Sequence, residues 1–251
     1  MIKILVKRLW LIPVVLVGWE LATLAIASPY VPSPSRILTR LYEMFTAEEA
    51  IGHVWPSLAR VAGSWIVAVL VGVLLGVAIG RTLWLADYID PLVEFGRAVP
   101  PPVMLPVFLV LFSMGTEVQV ATIVFGVIWP ILLNSIDGAR HVEPLQLETA
   151  TVFGLPVHLR LLRVILPAAA PKIFAGLRLS VSLALILMVV SELKGSTEGI
   201  GYLLSLATSN ADMAALWAGV VLLGVLGFLL NSLFLMGERR ILAWHHHRRR
   251  P

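Results

Sequence analysis

The chain has 251 residues, of which 59% are apolar and 14% charged, with a mean hydropathy of +0.91. That is more apolar surface than a water-soluble domain of this size can bury, so lipid is its expected solvent. The formal charge of +4 comes without any aromatic-interleaved basic groove that would fit nucleic acid, and zero cysteines exclude disulfides, cysteine–zinc sites and thiol catalysis.

The predicted class is an all-α membrane protein of about six transmembrane helices, forming a single domain over residues 1–251. Its apolar runs are Leu9–Ala27, Leu58–Gly80, Ala98–Met114, Val118–Ile136, Pro171–Leu193 and Ala214–Met236. Each approaches the roughly 20 residues a helix needs to cross the bilayer, and none alternates as a barrel strand would. The first run lacks a small-residue cleavage site and reads as a retained helix. Glu20 lies near its middle. An acid inside a membrane is costly and therefore a functional candidate, unless a neighbouring helix supplies a hydrogen bond.

Ser28-Pro29-Tyr30-Val31-Pro32-Ser33-Pro34-Ser35 breaks the first helix, and Ser33 or Ser35 is positioned to cap a short amphipathic helix running to about Phe45. Ile37, Leu38, Leu41 and Phe45 are expected on one side of it, along the outer membrane face. In the second run Gly72, Gly76 and Gly80 make a small-residue stripe suited to close helix packing. Asp87, Asp90 and Glu94 follow in the 81–97 loop, where a solvated face or a salt bridge to Arg81 or Arg97 is a better reading than paired catalytic carboxylates. Pro100, Pro101, Pro102 and Pro106 then make the third run's entry irregular, as a kink packed against neighbours or as a break lining a pore.

Residues 137–170 form the most informative loop. Pro144 suits a first helical turn and Gly154 a helix stop, so 144–153 reads as one short helix, with Pro156 opening a second that Pro167 ends after Leu166. The first carries apolar Leu145, Leu147, Ala150, Val152 and Phe153 beside polar Glu148, Thr149 and Thr151, a surface fit for a partner's groove or for lipid headgroups. Beyond the fifth run, Ser191 and Glu192 precede the polar, glycine-rich segment Lys194–Gly201, whose amides and hydroxyls are able to approach a small solute closely. The competing reading is an ordinary loop with Glu192 paired to Lys194 or Arg60 and Asn231 bonding between helices. Residues 237–251 end in His245-His246-His247-Arg248-Arg249-Arg250, a basic tail suited to an anionic leaflet.

With the N-terminus placed in the cytoplasm, only Arg36, Arg40, Arg60 and Lys194 of the 19 lysines and arginines fall outside. This asymmetry follows the positive-inside rule and puts both termini in the cytoplasm of a plasma (inner) membrane protein.

Glu148-Thr149-Ala150, then Gly154, then Val164, Leu166 and Pro167 resemble the loop signature of type I ATP-binding-cassette importer permeases. Thr149 stands where that signature has alanine, and Val164 where it usually has isoleucine. The likeness extends to Val31–Ser35, Ser57–Val61, the glycine stripe, Arg97 with its prolines, and Glu192 ahead of Gly199-Ile200-Gly201-Tyr202, as in the nitrate, taurine and aliphatic-sulfonate permeases. The resemblance implies a type I permease fold in which 137–170 holds cytoplasmic coupling helices. It also implies a second permease copy, two ATPase subunits, and an extracytoplasmic solute-binding protein that delivers a small, anionic solute of sulfonate, taurine or nitrate type. Glu148, Thr149, Ala150, Gly154, Val164, Leu166 and Pro167 become the coupling residues. Ser191, Glu192, Gly199, Gly201 and Asn231 become candidates for the solute path or its gate.

The residues themselves fit that division of labour. The chain has no GxxxxGK[ST], so it lacks the phosphate cradle needed to bind ATP by that route. No catalytic residue, metal or cofactor is assigned to it, and ATP and Mg²⁺ are expected on the partner ATPase. An intramembrane enzyme would need convergent Ser, His or Asp in the spans, whereas His53, His141 and His158 are expected in loops. An ion-coupled carrier is the remaining alternative, compatible with Glu20 and Glu192.

Overall fold

The computed structural model describes residues 10–26, 28–47 and 49–243, so the His245–Arg250 tail lies outside the described residues. Helix α1 spans Leu11–Ile26, α2 Pro34–Thr46, α3 Glu49–Arg81 and α4 Leu83–Ala98. A 3₁₀ turn at Pro101–Met104 leads into α5, Leu105–Phe112, and then α6, Thr116–Arg140. The short α7, Pro144–Val152, and α8, Val157–Arg160, precede a π-helical turn at Leu161–Ile165, α9 at Leu166–Gly195, α10 at Ile200–Ser209 and α11 at Met213–Ile241. No strand occurs among the described residues.

Among the described residues, four helices are long and apolar enough to cross a bilayer: Ala50–Arg81, Thr116–Arg140, Val157–Gly195 and Met213–Ile241. The third predicted run is not one straight span. Helices α4 and α5 meet at 85° across the proline cluster, because consecutive prolines remove amide donors and clash with the preceding turn. The first predicted run is a helix of 16 residues, which at the helical rise reaches about 24 Å.

Helix α6 is the centre of the bundle, packed between α3 and α9. Its buried residues Ile123, Val127 and Ile131 meet Val61, Ala68 and Val77 of α3, and Ile173, Leu177, Ala184 and Met188 of α9, in one continuous core. The glycine stripe explains how α3 comes so close. A Cβ on Gly76 would stand 2.5 Å from Ser135 Cβ and 2.8 Å from the Leu132 carbonyl, and one on Gly80 would stand 2.5 Å from the Ile136 carbonyl. Small-residue stripes of this kind replace the missing hydrophobic drive between helices in lipid with backbone-to-backbone contact.

Ser33 caps α2 by accepting from the Arg36 amide at 3.4 Å, with Pro34 in the first turn. The apolar face differs from the expected one. Ile37 and Met44 are buried against Leu203, Ala207, Ala215 and Ala218, with Leu41 packed beside them, whereas Leu38 and Phe45 are exposed. The buried positions follow an i, i+4, i+7 stripe because α2 packs on α10 and α11. Glu20 also finds a structural explanation: its carboxylate accepts from the Ser35 amide at 3.0 Å and the Ser35 hydroxyl at 2.7 Å. An acid near a helix N-terminus satisfies orphan amides and complements the helix dipole, so Glu20 ties α1 to the start of α2.

Candidate functional site

Two regions, at opposite ends of α9, hold all the candidate site residues except Asn231. The first is the elbow between α7 and α8. Gly154 adopts φ +64°, and the chain around it closes α7 as a Schellman cap: the Gly154 amide donates to the Thr151 carbonyl at 2.9 Å and the Leu155 amide to the Ala150 carbonyl at 3.0 Å. Nothing lies within 4 Å of where a Gly154 Cβ would be. The glycine is therefore required by the backbone turn and not by crowding.

Within α7, Thr149 and Thr151 turn their hydroxyls back onto the Leu145 and Leu147 carbonyls at 2.7 and 2.8 Å, while Ala150 is buried and Leu147 packs toward the core. Glu148 and Thr149 are exposed. The apolar Leu145, Val152, Phe153 and Val157 are exposed as well, Val152 at 85% and Phe153 at 79%. A cavity of about 1070 Å³ opens beside the helix, its walls including Thr149, Ala150, Leu155, Val164 and Pro167.

Pro167 does not end the second helix. Helix α8 passes through the π turn into α9 without a break from Val157 to Gly195. The Leu166 amide donates to the Leu161 carbonyl, five residues back, so the hydrogen-bond register has shifted by one just before the proline. Pro167 follows directly, and the register shift of the π turn absorbs the bond that its missing N–H cannot make.

The second region is a polar cluster where α3, α6 and α9 meet the α9–α10 connection, buried around Glu192, Ser57 and Arg60 and reaching the surface at Glu198. Glu192 is the hub: it accepts from the Ser57 hydroxyl at 2.8 Å, Arg60 Nη1 at 3.0 Å and the Gly201 amide at 2.9 Å. Ser57 in turn accepts from the Ile200 amide at 2.9 Å, and His53 Nδ1 from the Gly199 amide at 3.0 Å. Arg60 also pairs with Glu198 and donates to its carbonyl at 3.3 Å. Gln119 of α6 donates to the Gly195 carbonyl at 2.6 Å.

Ser191 is buried and donates to the Met188 carbonyl at 2.9 Å. The amides of Gly199, Ile200 and Gly201, expected to face a solute, are thus all taken up inside the protein. Both glycines are dictated by Glu192. Gly199 has φ +109°, and a Cβ on it would strike the Glu192 carboxylate; a Cβ on Gly201 would stand 2.6 Å from Glu192 Cβ.

His53 corrects another expectation. It lies in α3 and not in a loop, and His158 likewise lies in α8, at the start of the continuous Val157–Gly195 helix, whereas His141 follows α6 directly. His53, Ser57 and Arg60 share one face of α3 at i, i+4, i+7 spacing. Polar residues in that pattern at the head of an apolar helix were a legible signal for this cluster. Arg60 is the Glu192 partner, and Lys194 is not.

Asn231 does not join the cluster. It lines a separate cavity of about 790 Å³ between α9 and α11. In the 81–97 segment, Glu94 pairs with Arg97 and Asp90 with Arg140 at 3.7 Å, while Arg81 donates to the Ala139 carbonyl at 3.2 Å. These are ion pairs and a cap, with no converging site. No group of three or more metal-ligating residues occurs among the described residues.

Residues 68–243 match the family described as binding-protein-dependent transport system inner membrane component. Over 242 residues, 96% of this chain and 88% of the relative, the chain is 31% identical to the putative aliphatic sulfonates transport permease protein SsuC of Bacillus subtilis (strain 168). It is 28% identical to the taurine transport system permease protein TauC of Escherichia coli (strain K12), covering 91% of this chain and 86% of that protein. Its fold is similar to that of the MetNI methionine ABC transporter in an inward-facing conformation, with a TM-score of 0.65 at 18% identity over 76% of this chain and 95% of that one.

Proposed function

The chain belongs to the family of binding-protein-dependent transport system inner membrane components, and on that premise we propose that it forms half of the pathway of an ATP-driven importer. It is a multi-pass membrane protein and the permease subunit of such a system. Its partners are an ATP-binding-cassette ATPase and a solute-binding protein, as the family implies. The finer reading is two copies of this chain with two ATPase subunits, both termini in the cytoplasm, and no nucleotide, Mg²⁺ or catalytic group of its own. The solute is a small anion of sulfonate, taurine or nitrate type.

The observation that carries this reading is the capped elbow at Gly154. Apolar side chains as exposed as Val152 and Phe153 stand beside exposed Glu148, a surface that calls for a protein partner. Helix α7 docks there into the ATPase, with Glu148, Thr149 and Ala150 on the docking helix and Gly154 fixing its end. Val164, Leu166 and Pro167 carry the movement into α9, because α8 and α9 are one continuous rod. Helix α9 leads to the Glu192 cluster at the other end, which we assign to gating: it latches the outer ends of α3, α9 and α10.

The test is uptake by the complex reconstituted with its ATPase and binding protein. Glu148→Arg and Phe153→Asp are expected to lower co-purification of the ATPase, or solute-stimulated hydrolysis, about tenfold or more, as loss of an interface anchor does, while the chain still inserts. Native uptake by both variants removes the coupling role. Uptake that follows an ion gradient and ignores ATP overturns the importer reading.

A further inference from the structure

The cavity between α9 and α11 contains a charge that no partner among the described residues meets. Arg178 lies in an apolar span yet is exposed, and it forms no ion pair or hydrogen bond among the described residues. At the helical rise it sits about 9 Å along α9 from Lys172 and about 21 Å from Glu192. A cation at that depth on a lipid-facing surface is expensive, and such residues characteristically face water-filled cavities and ion or substrate paths.

Its surroundings are polar. The walls of the 790 Å³ space include Ser182, one turn along α9 from Arg178, and Asn231 and Glu238, two turns apart on α11. The Glu238 Oε2 atom is buried and has no hydrogen-bond partner among the described residues. The space continues toward the Glu192 end as a more apolar groove of about 510 Å³ that shares Ser182 and Gly227. Ser182 lies one turn from the Arg178 guanidinium on α9, whereas Glu238 stands on the opposing helix α11, so the field around Ser182 is set by Arg178.

We propose that Arg178 is the centre of a transit site for the oxyanion group of the transported solute, with Ser182 and Asn231 as further donors. The assignment rests on the importer reading and adds the site and its charge limit. A planar guanidinium presents paired donors that match sulfonate, carboxylate or nitrate oxygens. Glu238 sets the limit. As a carboxyl it brings oxygen acceptors and not the cationic donors that a second negative charge would need, so the site suits a single negative charge, with or without an ammonium group elsewhere on the solute. The apolar groove beyond Ser182 takes the short hydrocarbon part of such a molecule.

The absence of native cysteine permits a direct test on the full chain assembled with its ATPase in a nanodisc. Ser182→Cys is treated with anionic 2-sulfonatoethyl methanethiosulfonate and with the cationic trimethylammonioethyl analogue, and the rate ratio is compared with that of free cysteine. The ratio is expected to favour the anion by about tenfold, the scale at which a charged cleft raises local ion concentration. Arg178→Gln brings it back to the free-thiol value, and Arg178→Lys keeps most of it. Methanesulfonate at millimolar concentration slows labelling of Ser182→Cys and sulfate does not.

Equal reactivity toward both charges overturns the site, as does labelling by an uncharged lipid-soluble maleimide alone, which would make the groove a lipid contact. Should Arg178→Gln fail to assemble, the Arg178→Lys variant and the methanesulfonate arm decide. None of these readouts needs ATP turnover, so a failure here is separable from failure of the importer reading.

Discussion

Glu192 shows how one side chain fixes its neighbours. A fully buried carboxylate is tolerated only when its oxygens are met by donors, and here a hydroxyl, a guanidinium and an amide all converge on it. The Gly199 and Gly201 positions follow, since any Cβ there would occupy the space of the carboxylate or its stem. Removing one partner leaves the other buried and uncompensated. Arg60→Ala is therefore expected to cost about 3–5 kcal/mol, the usual range for a broken buried pair, and Ser57→Ala, which loses a neutral donor, about 1–3 kcal/mol. The check is the thermal unfolding midpoint of the purified complex. The double variant Arg60→Met, Glu192→Leu should unfold at a higher temperature than Arg60→Ala, because no buried charge is left alone. If all three melt like the native chain, the cluster holds nothing together.

Among the elements, α7 depends on its end more than on its length. A helix of 9 residues is too short to be stable by itself in water, so its cap and its contacts to the core hold it. Gly154→Ala forces a side chain into left-handed backbone, at about 1–2 kcal/mol. Hydrogen exchange at the Leu155 amide should then rise by roughly 5–30-fold, the factor that this free energy represents, and Gly154→Asn should raise it less. Unchanged exchange in Gly154→Ala would show that the cap is not what orders the elbow.

Helix α9 makes a different point. Its continuity with α8 was hidden by Pro167, whose local rule is to stop a helix. What the local rule cannot see is the π turn. A register shift of one residue depends on where Ile165, Ala169 and Ile173 must point to reach the α6 core, and that is a property of packing.

At the scale of the whole molecule, α6 organises the bundle through close contacts on two sides. Gly72, Gly76 and Gly80 bring α3 onto it, and Gly176 of α9 meets it on the other side, where a Cβ would stand 2.5 Å from the Pro130 carbonyl. The outer faces of α3, α9 and α11 remain apolar and exposed, with Leu70, Leu74, Leu179, Ile186, Phe228 and Leu233 among them. A single chain with α9 turned outward offers one side of a path, and two-fold closure is the commonest way for identical chains to enclose one. Native mass of the detergent-purified complex is expected to correspond to two copies of this chain with two ATPase subunits. A transport-competent complex holding one copy sinks the symmetric arrangement.

The membrane class, four of the predicted spans, the α7–Gly154 elbow and the family all follow from the sequence by itself, because each is written in local currency: apolar run length, proline and glycine punctuation, and a motif of fixed spacing. The tertiary structure alone decided the rest. It carried α8 through Pro167 into α9, turned α2 onto Ile37 and Met44, and gave Glu20 to Ser35. It also brought Ser57 and Arg60 to Glu192 across more than a hundred residues of chain. Burial and hydrogen bonding are satisfied in three dimensions, so the partner of a polar residue in an apolar helix is chosen by which helices lie side by side. That choice is made by close packing on α6, which no single stretch of sequence contains.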